Sequence, residues 1–130
     1  MKRLLDTSAY VGFKRGHHEV VSIVRDSDEL VFSMVVAGEL LFGFRNGTRW
    51  QKNLSDLEGF LSDPLVTLLP VTWTTADRFG RIAADLRRAG KPIPSNDIWI
   101  AAHAFESGAE LVTFDKHFES VPGLAVQMVG

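Results

Sequence analysis

Cysteine is absent from the 130 residues, which excludes disulfides, thiolate nucleophiles and Cys-ligated zinc or iron-sulfur centres and fits a reducing cytoplasm. No window approaches the ~18 uninterrupted apolar residues of a membrane span. Lys2 and Arg3 near the N-terminus precede no long apolar run of the kind a signal peptide carries, so secretion and membrane insertion are not expected. Excess positive charge is also missing: 14 Lys and Arg face 16 Asp and Glu, a net charge of -2, whereas a nucleic-acid binder ordinarily shows a basic footprint. Internal repeats, low-complexity tracts and linkers are absent too. With 45% hydrophobic residues the chain reads as one domain, 1–130, with a sizeable core.

What is present is an alternation of short apolar strands and helical stretches. Arg3-Leu4-Leu5-Asp6 is a strand ending on an acid, and Thr7-Ser8 offers a cap for a helix through Phe13. His17-His18 reads as a solvated loop, followed by a short helix around Val20 to Val24. A second strand, Leu30 to Ser33, leads into a helix from Met34 to Phe44 that is apolar on nearly every side except at Glu39. Trp50 to Leu61 is an amphipathic helix stopped by Asp63-Pro64, and Leu65 to Val71 a third strand. Thr74 or Thr75 is expected to cap a helix from Ala76 to Ala89. Pro94 and Ser95 open another helix, Asn96 and Asp97 suit its positive end, and Gly108 closes it. Glu110 to Phe114 is a fourth strand with Asp115 just past its end, and Leu124 to Val129 a fifth. This order predicts a three-layer α/β/α sandwich around a central, mostly parallel five-stranded sheet with the first strand in the middle.

If the first strand lies between the second and fourth, Asp6, Glu39, Asp97 and Asp115 all face one carboxyl edge of the sheet. Glu39 interrupts an apolar helix, where an unpaired carboxylate would cost several kcal/mol, so a cation is expected beside it. Converging carboxylates repel one another, and all-oxygen ligation without His or Cys points to one or two Mg²⁺ or Mn²⁺ ions, which polarise phosphoryl oxygens and activate water. Setting these four acids aside from the 16 leaves 12 against 14 Lys and Arg, a balance of +2 on the remaining surface. Lys14, Arg15, Arg45, Arg49, Lys52, Arg87, Arg88 and Lys91 are then available to guide a phosphate backbone.

The motifs LLDTSAY with Asp6, VVAGELLFG with Glu39, NDIWIAAHA with Asp97 and LVTFDKHF with Asp115 resemble, in that order, those of the PIN domain, and the length resembles that of the VapC toxins of toxin-antitoxin pairs. The resemblance runs from Leu4 to about Met128. It implies a Mg²⁺- or Mn²⁺-dependent endoribonuclease with the four acids as catalytic metal ligands and Thr7, Ser8, Thr113 and Asn96 as supporting polar residues. It also implies an RNA substrate, a small cognate antitoxin, and a homodimer or toxin-antitoxin hetero-oligomer.

Each residue also has a plainer reading. Asp6 alone would be a strand-end cap, Asp97 a helix-dipole partner, Asp115 an Asx turn with Lys116 and His117, and Glu39 the partner of a buried Arg. His103, off the face of Ile100, Ala101 and Ala104, is expected at the surface or partly packed, whereas His117 is a candidate RNA contact beside Arg45, Arg49, Arg87 and Arg88. Asp77, Arg81 and Asp85 read as an exposed ion-pair ladder. Phe42 is expected in the core, and Phe44 and Trp50 either in the core or in the groove where an antitoxin docks. A haloacid-dehalogenase-type phosphohydrolase would need an acid where Ser8 stands. A receiver domain would need an acidic pair at the first strand and an Asp ending the third. Flap nucleases need extra helices, and a non-catalytic metal- or partner-binding module or a solitary RNA-processing ribonuclease remains as the alternative.

Overall fold

The computed structural model describes all 130 residues. Strands β1 (Lys2–Leu5), β2 (Glu29–Ser33), β3 (Val66–Leu69), β4 (Glu110–Thr113) and β5 (Val126–Met128) form one sheet in the order β3-β2-β1-β4-β5, with every adjacent pair parallel. Between them run α1 (Thr7–Lys14), α2 (His18–Arg25), α3 (Met34–Arg45), α4 (Trp50–Leu61), α5 (Trp73–Arg88) and α6 (Ser95–Ser107). None of these helices is long and apolar enough to cross a membrane.

The consecutive residues Leu4 and Leu5 point to opposite faces of the central strand, and both are completely buried. Leu4 packs in one cluster with Val31, Phe32 and Leu111, and Leu5 in a separate one with Ala9, Val20 and Val112. Both faces of the sheet are therefore covered, as a parallel sheet requires, and the expected three-layer α/β/α architecture is what the chain adopts. The chain steps outward from β1 through β2 to β3, and then α5 and α6 carry it back across to β4. Strand order reverses between β1 and β4, and the crevice at their carboxyl ends is where open α/β sheets bind ligands.

Several local expectations change. The cap of α1 is Asp6 itself, accepting from the Ala9 amide, rather than Thr7 or Ser8. His17 is not a free loop residue: its Nδ1 caps α2 by accepting from the Val20 amide, and its ring stands edge-on to Phe114. Helix α5 starts three residues earlier than its apolar spacing suggests, because Thr72 and Thr75 form a reciprocal capping box and leave Trp73, at 88% exposure, inside the first turn. A 3₁₀ turn at Lys116–Ser120, capped by Asp115, has no counterpart in the sequence pattern. In α5 the ladder is broken: Asp77 pairs with Arg81, but Asp85 pairs with Arg88.

Two burial expectations fail. Phe42 is 71% exposed, since the core-facing stripe of α3 is Val36, Ala37 and Leu40 and leaves Met34, Leu41 and Phe42 outside. His103 is fully buried between α6 and the β2-α3 junction, with Nδ1 at 2.8 Å from the Ser33 hydroxyl and Nε2 at 3.0 Å from the Pro70 carbonyl. A carbonyl only accepts, so Nε2 carries the hydrogen and Nδ1 accepts from Ser33. The Ser33 oxygen in turn accepts from the Val35 amide and starts α3.

Candidate functional site

Asp6 follows the last residue of β1, and Leu5 of that strand is paired with Val112, which brings Asp6 beside Thr113 at the end of β4. The Thr113 hydroxyl donates to Asp6 Oδ2 at 2.5 Å, while Oδ1 accepts from the Ser8 hydroxyl at 2.7 Å and the Ala9 amide at 2.8 Å. Both carboxylate oxygens are thereby oriented before any ligand arrives. Asp6 is only 5% exposed, and burial, followed by the charge of Asp97, pushes its pKa up against the opposing pull of those three hydrogen bonds.

Thr113 also accepts from the Asp115 amide at 2.9 Å, so one hydroxyl ties the end of β1 to the turn after β4. Ser8 acts likewise, accepting from the Phe114 amide at 3.1 Å. Glu39, two turns into α3, accepts from Thr7 at 2.6 Å on one oxygen and from the Asn96 amide at 3.3 Å on the other. It is half-buried, and its partners are neutral; the cation expected beside it is not a Lys or Arg of this chain. The four supporting residues, Thr7, Ser8, Thr113 and Asn96, thus each touch a carboxylate of the quartet directly or, for Thr113 and Ser8, also hold the chain beside it.

Asp97 lies in the first turn of α6, where the helix dipole favours a negative charge. Its pKa is nevertheless raised, chiefly by burial and then by the charges of Asp115 and Glu39, with the bond to His117 opposing. His117 Nδ1 lies 3.0 Å from Asp97 and 3.2 Å from Asp115, and its own amide donates to Asp115 at 2.9 Å, so the Asx-type turn foreseen for Asp115 does form. The two roles of Asp115 are compatible.

The ligand atoms of Asp97, Asp115 and His117 all lie within 4.8 Å of one another, a grouping able to hold a metal ion. The sequence places His117 near substrate and not in the cluster; its actual position follows from the 3₁₀ turn, which periodicity cannot anticipate. Asp6 and Glu39 border the grouping rather than joining it, their oxygens being held toward Thr113, Ser8, Thr7 and Asn96. Across the four acids, no Lys or Arg makes an ion pair with any of them, and the only cationic candidate is the half-exposed imidazole of His117. Carboxylates that crowd one another without basic partners are a donor set suited to a hard divalent cation.

The basic candidates divide. Arg49 lines a groove beside α1 with Lys14, Arg15 and Lys52, and Arg45 next to it stacks over the Trp50 ring at 4.4 Å. Arg87 and Arg88 lie instead at the far end of α5, Arg87 beside Ile93 and Ile98, and Arg88 paired with Asp85. Neither shares the groove. Phe44 is half-buried against the main core and lines that same groove, while Trp50 is half-buried beneath Arg45.

The geometry has close counterparts. The chain is 33% identical to ribonuclease VapC2 of Haemophilus influenzae over 130 residues, covering 98% of this chain and 97% of that one. It is 30% identical to the tRNA(fMet)-specific endonuclease VapC of Salmonella typhimurium over 103 residues, 78% of this chain and 76% of the other. The crystal structure of DNA-bound VapBC from Salmonella typhimurium superposes with a TM-score of 0.84 at 28% identity, covering 98% of each chain. The family model described as the PIN domain matches residues 3–124. A match across nearly the whole chain, on a parallel sheet whose carboxyl edge gathers the four motif acids, means that this chain belongs to the PIN domain family.

Proposed function

We propose that this protein is a Mg²⁺- or Mn²⁺-dependent endoribonuclease and the toxin of a toxin-antitoxin pair. The observation that carries the reading is the convergence of Asp6, Glu39, Asp97 and Asp115 at the switch point of the sheet without a single Lys or Arg partner. The names of its relatives, ribonucleases and VapBC complexes, support the activity and the partner.

In this reading the four acids hold one or two ions, with His117 next to them. When bound, such an ion supplies a Lewis acid for a phosphoryl oxygen and lowers the pKa of a coordinated water. The chain's own contribution is orientation. Asp6 is fixed by Thr113, Ser8 and the Ala9 amide, and Glu39 by Thr7 and Asn96, so the ligands lose little entropy on binding. The site is open to solvent on the His117 side, as a polymeric substrate requires.

A partner chain has an apolar surface available on α3, where Met34, Leu41 and Phe42 stand exposed beside Gly38 and Glu39. We assign self-association to the α3 stripe. In sedimentation experiments Phe42→Glu should shift the protein toward monomer; an unchanged dimer would refute that assignment.

The test of the activity is cleavage of single-stranded RNA by the purified protein with and without divalent metal. Mg²⁺ or Mn²⁺ should switch cleavage on, chelation should abolish it, and Asp97→Asn should be inactive while retaining its circular-dichroism spectrum. Full cleavage in chelator, or by Asp97→Asn, would end the proposal.

A further inference from the structure

A groove of about 470 Å³ runs between α1, α3 and α4, next to the acids but separate from them. Four cations line it, Lys14 and Arg15 from the end of α1 and Arg49 and Lys52 from the start of α4, against a single acid, Asp56. Lys52 takes up that acid at 3.0 Å. The bond from Lys52, then the charges of Lys52, Lys14 and Arg49, hold the Asp56 carboxyl below its ordinary range, so cations from two helices gather around one point. Lys14, Arg15 and Arg49 have no carboxylate within ion-pair distance.

A second feature is independent of charge. Tyr10 lines the groove, its ring is fixed edge-on against Phe32 and Phe60, and its hydroxyl is buried with no hydrogen-bond partner in the protein. Burial pushes its pKa up to about 12, so at neutral pH it is a donor. Buried hydroxyls without partners are rare, and one beside a cationic groove marks a place for an acceptor.

The groove also lies near the acids along α1 and α3. The Tyr10 amide donates to the Asp6 carbonyl at 3.0 Å, one helical turn away, and Phe44 follows Glu39 by five residues, roughly 7.5 Å along α3. We propose that this groove binds the backbone phosphates of single-stranded RNA next to the scissile bond, with Lys14, Arg15 and Arg49 on phosphate oxygens and the Tyr10 hydroxyl donating to one of them. The inference rests on the ribonuclease reading and gives that site its substrate track. RNA suits it better than a docked helix, since most of the lining is polar, whereas a groove for an amphipathic helix is apolar. The planar Arg forks match phosphate oxygens.

The experiment measures binding of a fluorescent single-stranded RNA in chelator, where cleavage is prevented, across a salt series. For single strands the slope of log K against log salt falls by about 0.7 for each phosphate that the protein no longer neutralises. Lys14→Ala/Arg49→Ala should therefore lower it by about 1.4, and Arg81→Ala on α5 should leave it unchanged. Tyr10→Phe should weaken RNA binding without lowering the melting temperature, an outcome that a purely structural tyrosine would not give. An unchanged slope and affinity in the double variant, with cleavage at wild-type KM, would overturn the groove assignment alone. If the double variant instead loses binding of a poly-glutamate peptide while RNA binding stays intact, the occupant is a protein and the proposal also fails. Wild-type protein that neither binds nor cuts RNA would remove the ribonuclease reading as well.

Discussion

Replacing Asp6 separately with Asn and with Ala distinguishes its structural role from its chemical one. In the folded protein its Oδ1 caps α1 and accepts from Ser8, while Oδ2 accepts from Thr113. Alanine removes the cap, at about 1 kcal/mol, and leaves the buried Thr113 hydroxyl without its acceptor, at about 1–3 kcal/mol. Together that is a loss of about 2–4 kcal/mol, reduced by whatever the buried charge had cost. For a chain of 130 residues this is a fall in Tm of roughly 7–15 °C.

Asparagine keeps the cap, and the Thr113 hydroxyl can rotate to accept from its amide. It also removes the buried charge. Burial first, then Asp97, raises the folded pKa of Asp6 above 3.8, so the folded state holds its proton to higher pH than the unfolded chain does. The stability this group contributes is therefore complete below 3.8 and is lost as pH rises through the folded value. In chelator, Asp6→Asn should match wild type in acid and become the more stable of the two toward neutral pH. Thermal melts of the three proteins along a pH series, paired with RNA cleavage in metal, provide the assay. Both variants should be inactive, with only Ala unstable. Equal destabilisation by Asn and Ala, or cleavage by either, would refute the reasoning.

Gly12 packs so closely that an added Cβ would meet the Phe114 ring at 2.9 Å. Gly12→Ala should therefore lose about 1 kcal/mol, overpacking outweighing the gain in helix propensity, and should reduce cleavage because Phe114 adjoins Thr113 and Asp115. Adding Phe114→Leu should recover most of the melting temperature, and no recovery would argue against the clash. His103→Leu should cost about 2–4 kcal/mol by stranding the Ser33 hydroxyl and the Pro70 carbonyl, and hydrogen exchange at the Val35 amide should quicken as the start of α3 loosens. Wild-type protection of that amide in the variant would show that Ser33 caps α3 without help.

The legible parts of the fold are those where a local rule and the tertiary environment agree. Helix α4 runs over Trp50–Leu61 as its leucine spacing indicates, and α6 closes at Gly108 in the left-handed conformation that glycine adopts readily. Helix α5 escapes its apolar periodicity because its first turn, Trp73 to Thr75, carries an exposed Trp and is fixed by the Thr72–Thr75 box instead. Phe42 departs from expectation because α3 is apolar nearly all round, so hydrophobicity no longer tells which side faces the sheet. His103 looks peripheral in the sequence because α6 is buried on more than one face, and its partners, Ser33 and Pro70, are distant along the chain.

The sequence by itself determined the alternation of strands and helices, the parallel sheet and the places of the four motif acids in it, because each acid sits at a strand end or in a helix whose position short-range patterns define. Tertiary structure decided how those acids are held. The pairing of β1 with β4 sets Thr113 against Asp6, the crossing of α3 and α6 gives Glu39 its Asn96 donor, and a 3₁₀ turn swings His117 between Asp97 and Asp115. The same is true of the cations: Lys14 and Arg15 share a groove with Arg49 and Lys52, while Arg87 and Arg88 lie elsewhere. Side-chain charge is written in the sequence, but which charges add at one point depends on distances between elements far apart in the chain, and only packing fixes those.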